Sequence, residues 1–260
     1  LSIPVGYHKG GISMSQKAPQ QENKMGTQPI NQLLISMAVP LMLSMLVQAC
    51  YNIVDSMYVA RVSEDALTAV SMAFPIQNLM IAVCSGTGVG INALLSRSLG
   101  EKNFKNANLA ANTGIFLALC SYVVFALIGI FLAYPFYMSQ ISYNMDIVNG
   151  GVAYMRICCV FGLGLFLQVT SERILQSTGL TVYTMITQMT GAVLNIILDP
   201  MFIFGIGPFP ELGVAGAAVA TCIGQTVAAV IGIFMNVKFN KEIQLDLHEI
   251  FKPSLKIIKR

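Results

Sequence analysis

Two aspartates sit in stretches otherwise free of charge. Asp55 closes the run Gln48-Ala49-Cys50-Tyr51-Asn52-Ile53-Val54-Asp55, and Asp199 closes Asn195-Ile196-Ile197-Leu198-Asp199, directly ahead of Pro200. Placing an ionised side chain inside a bilayer costs about 2.5 to 3.5 kcal/mol on insertion scales, so each acid needs a partner or a task. Asn52 precedes Asp55 by three residues and Gln48 by seven, and Asn195 precedes Asp199 by four. On helices that spacing gathers amides and carboxylates on one face. Pro200 has no backbone N–H and frees the carbonyl near Ile196. Such oxygens suit a small cation, and a carboxylate that holds a proton cannot hold a cation as well. That exclusion is the chemistry of exchange, in which a proton or sodium ion and a cationic solute compete for one negative charge. The plainer alternative is that Asp55 pairs with Arg61 at an interface and that Asp199-Pro200 caps a helix.

The elements that carry these acids follow from where charge is missing. The chain has 260 residues, with 15 Lys and Arg, 12 Asp and Glu, 10% charged residues and a mean hydropathy of +0.68. A soluble domain carries about a quarter charged residues, so an ordinary soluble enzyme is excluded. Uncharged runs extend over 25–54, 66–96, 106–145, 174–198 and 212–237, and a membrane helix needs about 20 residues. The pattern predicts an all-α membrane protein with six spans, at Leu33–Tyr58, Leu67–Leu95, Leu109–Ala133, Val152–Leu175, Tyr183–Phe204 and Val214–Val237. Residues 1–32 form a polar amino-terminal segment without a signal-peptide core. Residues 33–237 form the membrane lobe. Residues 238–260 read as a linker, with Ile243, Leu247, Ile250 and Phe251 at the spacing of an amphipathic surface helix, ended by Pro253 before a truncated seventh span near Ser254. At ~1.5 Å per residue, Asp55 and Asp199 lie about 5 Å and 8 Å short of the outer ends of their spans, at one depth.

Thirteen of the 15 basic residues fall on one side of this topology, leaving Arg61 and Arg156 on the other. That asymmetry predicts cytoplasmic termini. A net charge of +3 without aromatic interleaving argues against nucleic acid as a partner. The six cysteines lie in apolar stretches without metal or disulfide spacing and read as packing residues. Pro40 and Pro75 are expected to break the first two spans, and Tyr134-Pro135-Phe136-Tyr137 has the character of an interfacial aromatic belt. Arg156 is expected to snorkel, and Glu172-Arg173 to form a local interfacial pair. Gly86-Thr87-Gly88-Val89-Gly90 lies inside a span and reads as close helix packing, as do Gly213, Gly216, Ala217, Ala218 and Ala220. No motif for hydrolysis, zinc or nucleotide chemistry is present, so the chain is not read as an enzyme and no cofactor is expected.

Several segments together resemble the amino-terminal half of the multidrug and toxic compound extrusion (MATE) transporters. They are Ala38-Val39-Pro40 through Asp55, Leu99-Gly100-Glu101-Lys102-Asn103, Leu175-Gln176-Ser177-Thr178-Gly179, Asn195 through Pro200, and Gly213 through Ala218 with Ala220-Thr221. The resemblance covers about residues 25–260. It implies one six-helix lobe of a two-lobed, twelve-helix bacterial cell-membrane transporter that exports cationic or amphipathic compounds in exchange for Na+ or H+, with the second lobe as a missing partner. In that pattern Asp55 is similar to the coupling carboxylate, Asn195, Asp199 and Thr221 to its partners in a cation site open to Na+, and Gln48 to a cavity-lining residue; Asn52 joins the cavity by its spacing. Two alternatives remain at this point, a flippase for lipid-linked saccharides and a non-transporting membrane scaffold.

Overall fold

The computed structural model describes residues 24–141 and 143–258, and every regular element among them is helical. In chain order these are α1 (Lys24–Thr27), α2 (Ile30–Ala60), α3 (Glu64–Gly100), α4 (Phe104–Gln140), α5 (Met145–Val160), α6 (Leu163–Ser177), α7 (Thr181–Phe204), α8 (Val214–Phe239), α9 (Leu247–Ile250) and α10 (Leu255–Ile258). Most of the polar amino-terminal segment, including Lys9 and Lys17, lies outside the described residues, as do Lys259 and Arg260.

Five helices, α2, α3, α4, α7 and α8, are long and apolar enough to cross a membrane, and α5 with α6 supplies a sixth crossing bent by 44°. The chain is a multi-pass membrane protein. At 37 residues each, α3 and α4 run for about 55 Å, well beyond a hydrocarbon core of roughly 30 Å, so their ends stand clear of it. Polar side chains start the helices at the turns. Ser63 Oγ accepts from the Ala66 N–H at 3.0 Å ahead of Glu64 and Asp65, and Asn103 and Asn144 cap α4 and α5 in the same way. The turns at Arg61 and Lys102 mark the two opposite ends of the bundle, the Arg61 end and the Lys102 end.

The break in the fourth crossing corrects two expectations. Val152–Leu175 is not one helix, whereas α2 and α3 run unbroken through Pro40 and Pro75. The joint falls at Phe161-Gly162 instead. A Cβ on Gly162 would lie 2.5 Å from the Cys158 carbonyl and 3.0 Å from Met80 Cε, so only glycine fits where the chain bends past the end of α5.

In the packing, α2 rests mainly on α7, α7 on α8, and α8 on α5 and α6, while α3 and α4 close the far side. Glycine sets several of these approaches. A Cβ on Gly164 would lie 2.6 Å from the Thr226 N–H nitrogen, which brings α6 against α8, and one on Gly216 would collide with the Phe202 carbonyl of α7. Ala217, Ala218 and Ala220 are fully buried beside it. Gly86 and Gly90, by contrast, have nothing within 4 Å of an added Cβ; of that cluster only Gly88 is close-packed, under the Arg173 stem. Asn236 on α8 is buried, and its Nδ2 donates at 2.9 Å to both the Ser171 and Gly232 carbonyls, tying α8 to α6.

Tyr137 departs from the aromatic-belt expectation. It is fully buried, its hydroxyl donates to the Ala69 carbonyl at 2.7 Å, and its ring occupies the space that any side chain at position 151 would need. Tyr134 remains exposed.

The segment after α8 also differs from the expected surface helix. Within the expected amphipathic stretch, 241–251, only the single turn α9 is helical, and Ile243 and Ile250 are buried in one cluster with Ile91, Leu95 and Ala111. Residues 240–246 run without helix over the start of α4. The Gln244 N–H donates to Asn108 Oδ1 at 2.9 Å, the Asp246 N–H donates to Asn112 Oδ1 at 3.2 Å, and Asn112 Nδ2 donates to Glu249 at 3.2 Å. Asn108 and Asn112 stand about 6 Å apart along α4, close to the ~6.6 Å between alternate residues of an extended chain. The two asparagines thus pair two backbone donors, and Leu245 between them packs against the core beside buried Ile243. The strap is held by the match between helix rise and extended-chain spacing, and not by an apolar helical face laid on a membrane surface.

These contacts predict opposite outcomes for two glycine substitutions. Gly164→Val is expected to lower the melting temperature of the detergent-purified chain by forcing α6 from α8. Gly86→Ala, in open space, is expected to hold or raise it by relieving a helix-propensity cost of about 0.5 to 1 kcal/mol. Circular-dichroism melts of both variants decide this, and equal losses would contradict the packing.

Candidate functional site

The site is built from one face of each of four helices. On α7, Gln188, Ala192, Asn195 and Asp199 recur at spacings of four, three and four, a single helical stripe, and Ala192, Asn195 and Asp199 are buried. On α2, Gln48, Tyr51 and Asp55 recur at three and four. Leu165, Gln168 and Glu172 do the same on α6, and Thr221 and Gln225 are one turn apart on α8. Where α2 leans on α7 the two stripes meet.

At that meeting point Asp55 and Asp199 lie within hydrogen-bonding range of one another. Asp199 is fully buried, and Asp55 Oδ1 is buried without a hydrogen-bond partner. Neither acid behaves as the plainer alternative required: no Asp55–Arg61 ion pair forms among the described residues, and Asp199 is buried within α7, which runs on to Phe204. Two ionised carboxylates have no proton to share and repel strongly in a low-dielectric surrounding. Something positive must sit between them, either a proton on one oxygen or a cation.

Asn195 and Thr221 complete the arrangement. Asn195 Nδ2 donates to Asp199 Oδ2 at 3.0 Å while its Oδ1 accepts from the Thr221 hydroxyl at 3.0 Å and the Thr221 N–H at 3.2 Å. The reverse orientation would set the amide oxygen against Asp199 Oδ2 and its nitrogen against the Thr221 N–H. Two carboxylates with a hydroxyl close by are oxygen ligands of the kind a small hard cation takes, so the pair fits Na+ as well as a proton.

Two adjoining cavities give access. One, of about 230 Å³, is lined by Asp55, Asn52, Gln77, Tyr154 and Cys158 among others; the second, of about 200 Å³, by Gln48, Gln168, Glu172, Gln188 and Asn195 among others. They share Tyr51, Ile81, Leu165, Thr221 and Gln225 and so form one polar path inside the bundle. Gln48 and Asn52 are exposed on α2, and Gln48 Nε2 donates to the Tyr51 hydroxyl at 3.1 Å. Gln77 Nε2 donates to the buried Tyr154 hydroxyl at 3.1 Å.

The Glu172-Arg173 interfacial pair is not formed. Consecutive residues on a helix point about 100° apart and do not face each other. Glu172 is buried and accepts from Gln168 Nε2 at 2.9 Å and Gln188 Nε2 at 2.7 Å, while Arg173 donates to Gln176 Oε1 at 2.8 Å. Tyr51, Tyr154, Gln77 and Glu172 are therefore cavity residues that sequence reasoning passed over. The signal for Glu172 was its place seven residues after Leu165 and four after Gln168. Arg156 is exposed on α5, as a snorkelling residue would be. Among the described residues no group of three His, Cys, Asp or Glu side chains could hold a metal, and all six cysteines are free.

A bundle of spanning helices around a buried acidic pair and a polar cavity defines a membrane transport protein. Residues 40–201 match the MatE family model. The FAD transporter of Shewanella oneidensis is 28% identical over 200 residues, 77% of this chain and 44% of that protein. The probable multidrug resistance protein YoeA of Bacillus subtilis is 30% identical over 204 residues, 78% of this chain and 44% of that one. A crystal structure of MATE in complex with MaL6 superposes with a TM-score of 0.80 at 27% identity, covering 88% of this chain and 50% of that one. The chain belongs to the MATE family of transporters, and it spans about half the length of the relatives it matches.

The Asn195–Thr221 contact yields a test of the geometry. In a double-mutant cycle on the unfolding of the purified chain, Asn195→Ala and Thr221→Val are expected to show a coupling energy of about 1 kcal/mol. Additive effects would mean that the two side chains do not touch.

Proposed function

We propose that this chain is one lobe of an ion-coupled exporter of cationic or amphipathic compounds, set in the cell membrane with both termini cytoplasmic, and that Asp55, Asp199, Asn195 and Thr221 hold its coupling ion, Na+ or H+. The observation that carries this reading is the contact between the Asp55 and Asp199 carboxyls inside the bundle. Left bare, that pair is strongly unfavourable; filled, it is a reversible store of positive charge. A cationic solute entering the same cavity competes for the store, so loading from one side and emptying to the other drives export. Gln48, Asn52, Tyr51 and Gln77 give the solute hydrogen-bonding groups beside the acids.

The charge lining the cavities favours cations. Three carboxylates, Asp55, Asp199 and Glu172, stand in or beside them against one guanidinium, Arg173, and a site for a pyrophosphate or other anionic carrier calls for the reverse. That weighs against a flippase for lipid-linked saccharides. It also weighs against an anionic cargo of the kind named for the Shewanella relative. A scaffold has no use for an internal polar path with an orphaned carboxylate oxygen.

Two measurements check the proposal. In vesicles carrying this lobe joined to a second six-helix lobe, Asp55→Asn is expected to reduce gradient-driven export of a cationic dye to the level of empty vesicles while membrane insertion is unchanged. Export at the unsubstituted rate overturns the assignment. For the chain alone, Na+ is expected to raise the melting temperature of the unsubstituted lobe and to leave that of Asp199→Asn in place. The absence of a sodium effect on the unsubstituted lobe, with a pH effect retained, would assign the coupling ion as H+.

A further inference from the structure

The Asp55–Asp199 pair does not account for the third buried acid. Glu172 lies on α6 at 4% exposure, and each of its carboxylate oxygens accepts one amide N–H, from Gln168 on its own helix and Gln188 on α7. Gln188 and Asp199 are eleven residues apart on one stripe of α7, about 16 Å along the axis. Glu172 therefore occupies a different level of the bundle, nearer the Lys102 end. The cavity it lines adjoins the one that Asp55 lines, but neither aspartate borders it.

We propose that Glu172 is a second proton-binding site of this lobe, separate from the aspartate pair and connected to it by the shared cavity. Its surroundings select a proton over a metal ion. Both carboxylate oxygens are met by amide nitrogen, and N–H groups repel a cation that seeks oxygen ligands. Those glutamines also suit either protonation state. As N–H donors they satisfy the carboxylate; with one amide turned over, its oxygen accepts the acid proton. The proton adds to one carboxylate oxygen and leaves from the same atom, without any other bond changing.

The electrostatic setting is simple. The charged or titratable groups sharing Glu172's cavity are Arg173 on α6 and Tyr51 on α2, while α3, α7 and α8 present neutral side chains there, among them Ser85, Gln188 and Gln225. No α4 residue lines it. Arg173 follows Glu172 in sequence, but its guanidinium is hydrogen-bonded to Gln176 and its stem crosses Gly88, so it stands near the acid without pairing with it. This deepens the coupled-transport reading and rests on it for its physiological purpose; the proton-binding chemistry stands independently.

Infrared difference spectroscopy on the purified chain, stepped between acid and alkaline buffer, tests the assignment. Glu172→Gln is expected to lose one component of the protonated-carboxyl absorption while keeping the components lost in Asp55→Asn and Asp199→Asn. Sodium added at fixed pH is expected to leave the Glu172 component in place. Glu172→Asp, which keeps the acid on a shorter stem, is expected to shift that component without deleting it, and it provides the test should Glu172→Gln not purify as a folded monomer. A Glu172→Gln spectrum that overlays the unsubstituted one, a component removed by sodium, or an unshifted component in Glu172→Asp overturns the proposal. If instead the aspartate variants overlay while Glu172→Gln loses its component, the coupling assignment to Asp55 and Asp199 fails and this one stands.

Discussion

Two like charges cannot share a dry pocket without something between them, and the rest of this lobe is arranged around that constraint. Asp55 and Asp199 come from helices far apart in sequence and meet because α2 lies along α7. Their proximity is unfavourable in isolation and useful only when filled, which makes occupancy a property of the packing between two helices. Asn195 supports the arrangement: its N–H meets Asp199 and its oxygen takes the Thr221 hydroxyl and N–H, so the amide holds one of the two carboxylates in place. Gly164 and Gly216 bring backbones together, and Asn236 ties α8 to α6 through backbone carbonyls that do not depend on what the aspartates hold.

The positions of the polar residues show how a membrane bundle separates structure from chemistry. Asn108, Asn112 and Asn236 are amides whose partners are mostly backbone groups, and they fix the strap and the α6–α8 contact. Gln48, Gln168, Gln188 and Gln225 line the second cavity, and none of the four is fully buried. The distinction is one of reach. A short amide bonded to backbone is a fastener, whereas a long amide on a cavity wall retains freedom to reorient around a ligand.

Much of this was legible in the residues. Charges are so sparse between positions 33 and 237 that the six crossings could be read from the gaps, and the two aspartates stood out because acids in apolar runs are expensive. Their common depth followed from helix rise alone. Thr221 did not emerge from spacing; it came through family resemblance, since nothing in Ala220-Thr221 marks a hydroxyl next to an amide on another helix. Glu172 was misread because an adjacent arginine suggests a pair, although adjacency on a helix separates two side chains. Prolines at 40 and 75 suggested breaks that α2 and α3 do not have, while the real joint lies at Gly162, where the signal is the absence of a side chain. The helical spacing of Ile243, Leu247 and Ile250 was real, but backbone donors captured by Asn108 and Asn112 favoured an extended course over most of the segment. For Thr221, Glu172 and the strap, a deciding partner came from another helix, which local pattern cannot supply.

The split of the fourth crossing at Gly162 has a mechanical meaning. Its two rods share the neighbours α3, α4 and α8 but meet them at different points, α5 reaching α4 near Gly151, where Tyr137 fills the gap, and α6 reaching α8 at Gly164 and Ser171. Cys158 rides on the first rod beside the Asp55 cavity, and Glu172 rides on the second. The lobe thus carries a two-residue joint inside a single crossing, and the change of direction is borne by Phe161 and Gly162 while the rods on either side stay regular helices.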